Sequence, residues 1–270
     1  ARARHLSNRM ATVPATTLTT SAYAPVNGVS LYYEVHGQPR PGAVPLVLLH
    51  GGGSTIETSF GKLLPLLSKD RQVIAFEQQG HGHTADVRDR PFSFRQSADD
   101  AAALLRHLQL EKADFFGYSN GGHIALEIAL HHPGVVRALV LQSMMYSREG
   151  CDPAFWAGFK DAKLADMPRE LQDAYLETAA HPEELPVFFR KSVERMRGFE
   201  GWTDEQIRSI KAPALIVLGD RDIVLVDHAA RMQRLLPDAQ LAVVPGADHM
   251  TIVSRADEVA ALVQRFLAGR

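Results

Sequence analysis

Short runs of apolar residues alternate with amphipathic segments over most of the chain. Because both faces of these runs are apolar, they are typical of central strands in a parallel sheet that helices cover on both sides. The alternation predicts an α/β fold with a mostly parallel sheet flanked by helices. The predicted strands lie in an opening hairpin around Asn27-Gly28 (31–35) and at 45–49, 72–76, 113–117, 135–141, 214–218 and 240–244.

The alternation is interrupted once, between residues 147 and 210. This segment contains helical patterns and no convincing strand, and several prolines divide it. It is predicted to form a small helical cap, inserted after the sixth strand, with its charged residues on a solvated face. Residues 22–146 and 211–270 form the predicted core. Residues 1–21 show no apolar periodicity and are predicted to be a disordered tail.

Length and composition exclude several classes of protein. The chain has 270 residues, of which 46% are hydrophobic, enough for a sizeable core. With a formal net charge of -2 it has no basic stripe for nucleic acid, and no apolar run reaches the roughly 18 residues of a membrane span. We expect a monomer or homodimer that acts on a small molecule. We expect the protein in the cytoplasm. The alternative is an exported protein, if residues 1–21 are the N-terminal remnant of a mature exported chain.

Cys151 is the only cysteine in the chain, so an intrachain disulfide is excluded. It lies in a predicted loop between a glycine and an aspartate, which argues against a nucleophilic role.

A serine stands where the predicted strand at 113–117 meets a helix. Gly117-x-Ser119-x-Gly121 matches the G-x-S-x-G pattern of a nucleophile on a sharp strand-to-helix turn. Glycines suit such a turn because a Cβ on either side of the serine would collide with the adjacent strand and helix. The backbone N–H of Asn120, at the start of the helix, is then expected to point at the reacting oxygen.

A serine hydroxyl needs a base, and the base needs an acid that orients it. Asp220 and Asp222 follow the predicted strand at 214–218, and His249 follows the strand at 240–244. The carboxyl ends of parallel strands share one edge of a sheet, so these side chains are expected to meet Ser119 there. Either aspartate fits the acid's position.

A glycine-rich segment, His50-Gly51-Gly52-Gly53, follows the predicted strand at 45–49. Its backbone N–H groups can approach a developing oxyanion closely. We favour Gly52 as the second oxyanion donor, with Gly53 as the alternative. His50 is expected to hold this loop in place by a hydrogen bond.

Between about Val29 and Leu267 the chain resembles the α/β-hydrolase fold superfamily, in its serine hydrolase and esterase branch. The resemblance implies Asp222 as the acid and His249 as the base. One departure is Glu77, where the family commonly has the first Asp of Asp-x-x-Gly-His-Gly. The segment EQQGHGHT is similar to the serine-dependent macrolide esterases. The motifs that carry the resemblance are LLHGGGS (48–54), GHGHT (80–84), GYSNGG (117–122), LGDRD (218–222) and PGADHM (245–250).

Substrate contacts are expected from the cap and from the residues just after the sixth strand, where an apolar pocket is predicted beneath the cap. The histidine pairs at 81/83 and 131/132 have no further ligands at metal-site spacing, so neither a metal nor a cofactor is expected. The substrate-binding candidates are Met144, Met145, Phe155, Trp156, Phe159 and Phe188.

The pattern therefore predicts a serine hydrolase that cleaves a carboxylic ester or lactone through an acyl-enzyme, with a macrolide-type cyclic ester as one candidate. Cofactor-free haloperoxidase or perhydrolase activity uses a similar triad. Hydrolysis of a C–C bond is another alternative, but HGGGST lacks the proline usual in the oxyanion loop of those enzymes. A non-catalytic small-molecule binding protein is the alternative of a different class.

Overall fold

The computed structural model describes residues 18–270, and it contains one sheet of eight strands. Their order across the sheet is β1-β2-β4-β3-β5-β6-β7-β8. The first two strands form an antiparallel hairpin, β2 is also antiparallel to β4, and the remaining neighbours are parallel. The predicted α/β fold is confirmed. The strands are β1 (Leu18–Val26), β2 (Val29–His36), β3 (Leu46–Leu49), β4 (Val73–Phe76), β5 (Ala113–Tyr118), β6 (Val136–Gln142), β7 (Ala214–Gly219) and β8 (Ala239–Val244).

The opening strand begins at Leu18, inside the range that was predicted to be a disordered tail. Among the residues of this edge strand whose burial is described, only Ala24 and Val26 are buried. The strand therefore has too few buried apolar residues to show a clear strand pattern in the sequence. Asn27 and Gly28, both with positive φ, turn the chain into β2. The rest of the predicted tail, residues 1–17, lies outside the described residues.

Helices cover both faces of the sheet. They are α1 (Ile56–Phe60), α2 (Leu64–Leu67), α3 (Phe94–His107), α4 (Asn120–His131), α5 (Pro153–Ala157), α6 (Arg169–Thr178), α7 (Leu185–Arg197), α8 (Asp204–Arg208), α9 (Val226–Leu235) and α10 (Ala256–Ala268). Phe115 of β5 packs with α3 and α4 on one face, whereas the next residue, Phe116, packs with α1, α2 and α10 on the other. Both phenylalanines are fully buried, which stabilises the fold by about 1.5–3 kcal/mol each. Among the described residues, none of the helices has the length and apolar character that a membrane span requires.

Helices α5 to α8 lie between β6 and β7, in the segment predicted to form a cap. A small apolar cluster joins α6 and α7 to Phe92 of the core through Tyr175 and Phe188. The charged residues of this segment do not all face solvent as predicted. Lys191 and Arg195 on α7 are buried, because their side chains reach polar groups of the core. The limits of a separate cap domain, 147–210, stay a prediction.

Candidate active site

Ser119 lies on a strained turn between β5 and α4. Its φ of 53° falls in the left-handed region that residues with a Cβ rarely adopt. A Cβ on Gly117 would lie 2.2 Å from the carbonyl oxygen of Gly121, and one on Gly121 would lie 1.9 Å from that of Leu49. The Ser119 N–H donates to the carbonyl of Gln142 at 2.9 Å, which fixes the turn against β6. The two glycines therefore give the room that this turn requires.

Ser119, His249 and Asp222 form one chain of hydrogen bonds. His249 Nε2 lies 3.0 Å from Ser119 Oγ, and His249 Nδ1 lies 2.8 Å from Asp222 Oδ1. Tyr118 O–H donates to the His249 carbonyl at 2.6 Å and so holds its loop. The residues come from three strand ends and lie 27 and 130 positions apart in sequence. This is the arrangement in which an imidazole takes a hydroxyl proton while a carboxylate orients the ring.

The structure distinguishes Asp220 from Asp222, both of which fit the position of the acid by sequence. Asp222 is fully buried against the imidazole of His249 and also accepts from the Val224 N–H at 3.1 Å. Burial pushes the pKa of Asp222 up, but the hydrogen bond and charge of His249 outweigh it, so the pKa lies below its ordinary value. Asp220 instead accepts from the backbone N–H of Gly246 at 2.7 Å. Asp222 is thus an ionised partner for His249, and Asp220 holds the loop after β8.

Two backbone N–H groups beside Ser119 have no acceptor among the described residues. One belongs to Asn120, which begins α4 and so has no partner one turn earlier. The other belongs to Gly52, since Gly51 donates to Ser59 Oγ and Gly53 donates to His81 Nε2 at 3.3 Å. Because the Gly53 N–H already has this partner, the geometry favours Gly52, as expected, over the alternative Gly53. Free N–H groups in this position can stabilise an oxyanion.

His50 holds the glycine-rich loop together with Gln78 and Arg195, which the sequence argument did not assign. Gln78 donates its backbone N–H to His50 Nε2 at 3.0 Å and its side-chain amide to the His50 carbonyl at 2.9 Å. Burial lowers the pKa of His50 to about 4, so its ring is neutral and donates from Nδ1 to the Gly51 carbonyl. Arg195 Nη1 donates to Gln78 Oε1 at 3.1 Å and continues the network into α7.

Glu77 occupies the position where the family commonly has aspartate. Its carboxylate accepts from the Ile56 N–H at 3.3 Å, at the start of α1, and from the His83 N–H at 2.6 Å. The glutamate side chain reaches both segments, so one carboxylate holds the start of α1 and the loop at His83 together beside the site.

An apolar cavity of about 380 Å³ lies between Ser119 and α5 to α7. Phe155, Phe159 and Phe188 line it, as expected of them from the sequence. Further apolar lining residues, which no sequence pattern had indicated, are Met167, Leu171, Val193, Met196 and Ile223.

Three substrate-binding candidates lie away from this cavity, and their assignment is corrected. Met144 packs against Gly122 at the start of α4, and Met145 Sδ lies 3.2 Å from His123 Nε2 in the core. Trp156 donates from Nε1 to the Arg148 carbonyl at 2.7 Å. It follows Phe155 by one position and therefore points about 100° around α5, away from the cavity.

A second cavity, of about 480 Å³, meets the first at Gly52, Ser119 and His249. Its walls are more polar than those of the first cavity and include Glu57, Lys62, Glu170 and Thr251. We call it the polar groove. A ligand whose reacting carbon lies at Ser119 can therefore extend in two directions, into surroundings of different polarity.

Comparison with known proteins identifies the family. The family model described as "Alpha/beta hydrolase family" matches residues 46–262. The chain belongs to the alpha/beta hydrolase family. Serine hydrolase BPHL of Homo sapiens is 30% identical over 261 residues, which cover 93% of this chain and 87% of that protein. The resemblance to the α/β-hydrolase fold superfamily, inferred from the motifs, is confirmed.

Two further proteins support the same conclusion about this alpha/beta hydrolase. The 2-hydroxymuconate semialdehyde hydrolase of Pseudomonas sp. strain CF600 is 29% identical over 248 residues, covering 83% of this chain and 87% of that protein. A meta-cleavage product hydrolase from Pseudomonas fluorescens IP01 shares the fold, with a TM-score of 0.74 at 24% identity over 94% of this chain and 98% of that one. The relatives' names support a hydrolytic function.

Proposed function

We propose that this alpha/beta hydrolase cleaves a carboxylic ester or lactone through an acyl-enzyme on Ser119. The observation that carries the proposal is the hydrogen-bonded chain from Ser119 through His249 to Asp222, beside two backbone N–H groups that have no acceptor among the described residues. These are the parts that nucleophilic acyl transfer requires, and Ser119, His249, Gly52 and Asn120 all line the apolar cavity.

The geometry supports the following sequence of steps. Ser119 Oγ attacks the acyl carbon while His249 Nε2 takes its proton, and Asp222 stabilises the imidazolium that forms. The N–H groups of Gly52 and Asn120 bind the tetrahedral oxyanion. His249 then returns the proton to the leaving alcohol, and an acyl-enzyme remains. Water, deprotonated by His249, attacks the acyl carbon and releases the carboxylic acid and Ser119.

The two cavities that meet at Ser119 support an amphiphilic substrate. The apolar part of the ester would occupy the cavity lined by Phe188 and Val193, and a hydroxylated or charged part would occupy the polar groove near Lys62 and Glu170. A macrolide-type cyclic ester remains a candidate within this class, with its ring extending from one cavity into the other.

Covalent labelling with a fluorophosphonate probe tests the nucleophile. We expect one adduct, located on Ser119 by peptide mass spectrometry and absent from Ser119→Ala. Cys151→Ala is the matched control and should label like the unmodified protein. A full adduct on Ser119→Ala would refute the assignment. Absence of labelling on every variant would favour a binding protein.

A substrate panel then tests the bond that is cleaved. Short and long acyl esters, a lactone and a macrolide would be compared with a 2-hydroxymuconate semialdehyde-type compound, which tests the C–C alternative that one relative's name raises. Addition of peroxide to the ester assay tests perhydrolysis. Turnover of the C–C substrate with no ester cleavage would overturn the proposal.

A further inference from the structure

Among the described residues, Arg195 is a buried cation without a counter-ion. The residue is 8% exposed, and no carboxylate of the described part of the chain lies within ion-pair distance of its guanidinium. Its Nε and Nη2 atoms are inaccessible and have no hydrogen-bond partner, so that Gln78 is its one polar contact. Burial lowers the pKa of Arg195 to about 10, which still leaves it charged at neutral pH. The guanidinium carbon also lies 4.7 Å from the centroid of the Phe94 ring and 5.7 Å from that of Phe92. Such contacts with aromatic rings offset only part of the cost of burying a charge, so the position of Arg195 calls for another explanation.

Lys191, one turn earlier on α7, shows what ordinary burial of a cation looks like in this protein. Its Nζ lies 2.6 Å from Asp86 Oδ2 and also donates to the carbonyls of Val87 and Arg90 at 3.0 Å each. Every donor of Lys191 is therefore satisfied, and a carboxylate neutralises its charge. The fold pairs one buried cation of α7 and leaves the next one unpaired.

The unpaired guanidinium lies beside the oxyanion loop. A Cβ built on Gly52 would be 3.4 Å from Arg195 Nη2 and 2.1 Å from Asn120 Nδ2, so Arg195 lies beside Gly52, which in turn adjoins Asn120. The nearest titratable rings carry no charge of their own. Burial lowers the pKa of His50 to about 4, that of His123 to about 3 and that of His81 well below its ordinary value, which leaves all three uncharged.

We propose that Arg195 is kept without a counter-ion so that its charge stabilises the oxyanion formed at Gly52 and Asn120. The inference rests on the proposed function, because only an acyl transfer creates that negative charge. Arg195 does not line the apolar cavity, and its inner nitrogens are sealed from solvent. It is therefore a positioning residue, which acts through its field and through Gln78 and the His50 loop, and it does not touch the substrate.

Steady-state kinetics of Arg195→Met and Arg195→Lys, with Lys191→Met as the matched control, test the inference. Loss of the charge in Arg195→Met should lower kcat about 10- to 100-fold for a neutral ester and change KM less than about 3-fold, because the charge acts on the transition state. Arg195→Lys should recover part of kcat. Lys191→Met should lower thermal stability and leave kcat within about 3-fold.

Inhibition by an alkyl boronic acid gives a readout that a purely structural role would not change. The boronate forms an anionic tetrahedral adduct with serine, so its affinity should fall with kcat in Arg195→Met and stay unchanged in Lys191→Met. Equal kcat and boronate affinity in folded Arg195→Met would overturn the inference. A loss confined to KM of esters with a carboxylate tail would also overturn it, in favour of a substrate-binding role. Should Arg195→Met fail to fold, Arg195→Gln and Arg195→Lys give the same comparison.

Labelling distinguishes failure of this inference from failure of the proposed function. A fluorophosphonate adduct on Ser119 with unchanged kcat in Arg195→Met rejects only the role of Arg195. Absence of the adduct and of ester turnover in the unmodified protein rejects both.

Discussion

Asp220 and Asp222 are two residues apart, and their carboxylates bind different groups of the same loop after β8. Asp222 receives the Nδ1–H of His249, whereas Asp220 receives the backbone N–H of Gly246. The pair therefore provides a matched experiment, because the same substitution removes the same charge from two neighbouring positions.

Asp222→Asn should lower kcat about 10³- to 10⁴-fold, since an amide neither fixes the imidazole tautomer nor stabilises the imidazolium. Asp220→Asn should lower kcat less than about 10-fold and reduce stability by about 1 kcal/mol, because only a loop contact is weakened. Ester hydrolysis and urea denaturation of both variants would be measured. Equal losses of kcat would reject Asp222 as the specific partner.

Gly121→Ala should destabilise the protein by about 2–4 kcal/mol, because the added methyl group would meet the Leu49 carbonyl. Gly134→Ala is the control, since no atom lies within 4 Å of a Cβ there. The midpoints of denaturant unfolding would be compared. A stable Gly121→Ala variant that still labels with fluorophosphonate would show that the turn tolerates a side chain.

Val193→Trp should fill part of the apolar cavity and lower kcat/KM for long acyl esters at least about 10-fold, with a smaller effect on acetyl esters. Leu176→Trp, at a site on α6 that is 45% exposed, controls for the added indole. Kinetics over a series of acyl chain lengths would give the result. An unchanged chain-length profile would place the acyl group in the polar groove.

Folding stability should fall as the pH drops below about 6.5. Burial lowers the pKa of His123 to about 3, and those of His50 and His228 to about 4, so the unfolded chain binds protons that the folded chain does not. Their contribution is complete above the unfolded value and is lost as pH falls toward the folded values, by up to about 1.4 kcal/mol per pH unit for each ring.

His228→Gln should remove the contribution of one such ring to the pH dependence of stability. Glutamine is chosen because its amide oxygen can still accept from the Tyr146 N–H, which donates to His228 Nε2 at 3.1 Å. Urea denaturation between pH 4.5 and 7 would give the slope of stability with pH. The same substitution at exposed His181 is the control for loss of an imidazole. An identical slope in His228→Gln and the unmodified protein would contradict the prediction.

Cys151 should be inert in the folded protein. Burial raises the pKa of its thiol to about 12, so the thiolate that reacts with alkylating agents is scarce at pH 8. We expect no iodoacetamide adduct until the protein is denatured, and ester hydrolysis by Cys151→Ala close to that of the unmodified protein. Rapid alkylation of the native protein with loss of activity would contradict this.

The sequence was sufficient to predict the positions of residues that local backbone geometry determines. Ser119 and the glycines around it follow from the steric needs of one turn, and the placing of Asp222 and His249 follows from strand ends that meet at one sheet edge. The order of short apolar strands was sufficient to predict the parallel sheet. These inferences use rules that act within a few residues or within one sheet.

Tertiary contacts decide the positions that were predicted wrongly or not assigned. Met144 and Met145 follow Ser143, whose φ of 53° turns the chain so that both side chains enter the core. Arg195 and Lys191 belong to a helix whose pattern predicts a solvated charged face, and only the packing of α7 on the core shows that they are buried. Helical periodicity indicates which residues share a face, and it does not indicate what that face meets.

The ion pair between Lys191 and Asp86 has a consequence for how a substrate enters. It ties the middle of α7 to the loop before α3 through a buried charge pair, which is costly to separate. Opening of the helical segment should therefore leave α7 in place as a fixed wall. The passage to Ser119 should widen instead by displacement of α5 and the chain leading to α6, whose residues are mostly exposed or half-buried. A substrate would then reach Ser119 through movement of α5 and the chain leading to α6, while α7 stays fixed on the core.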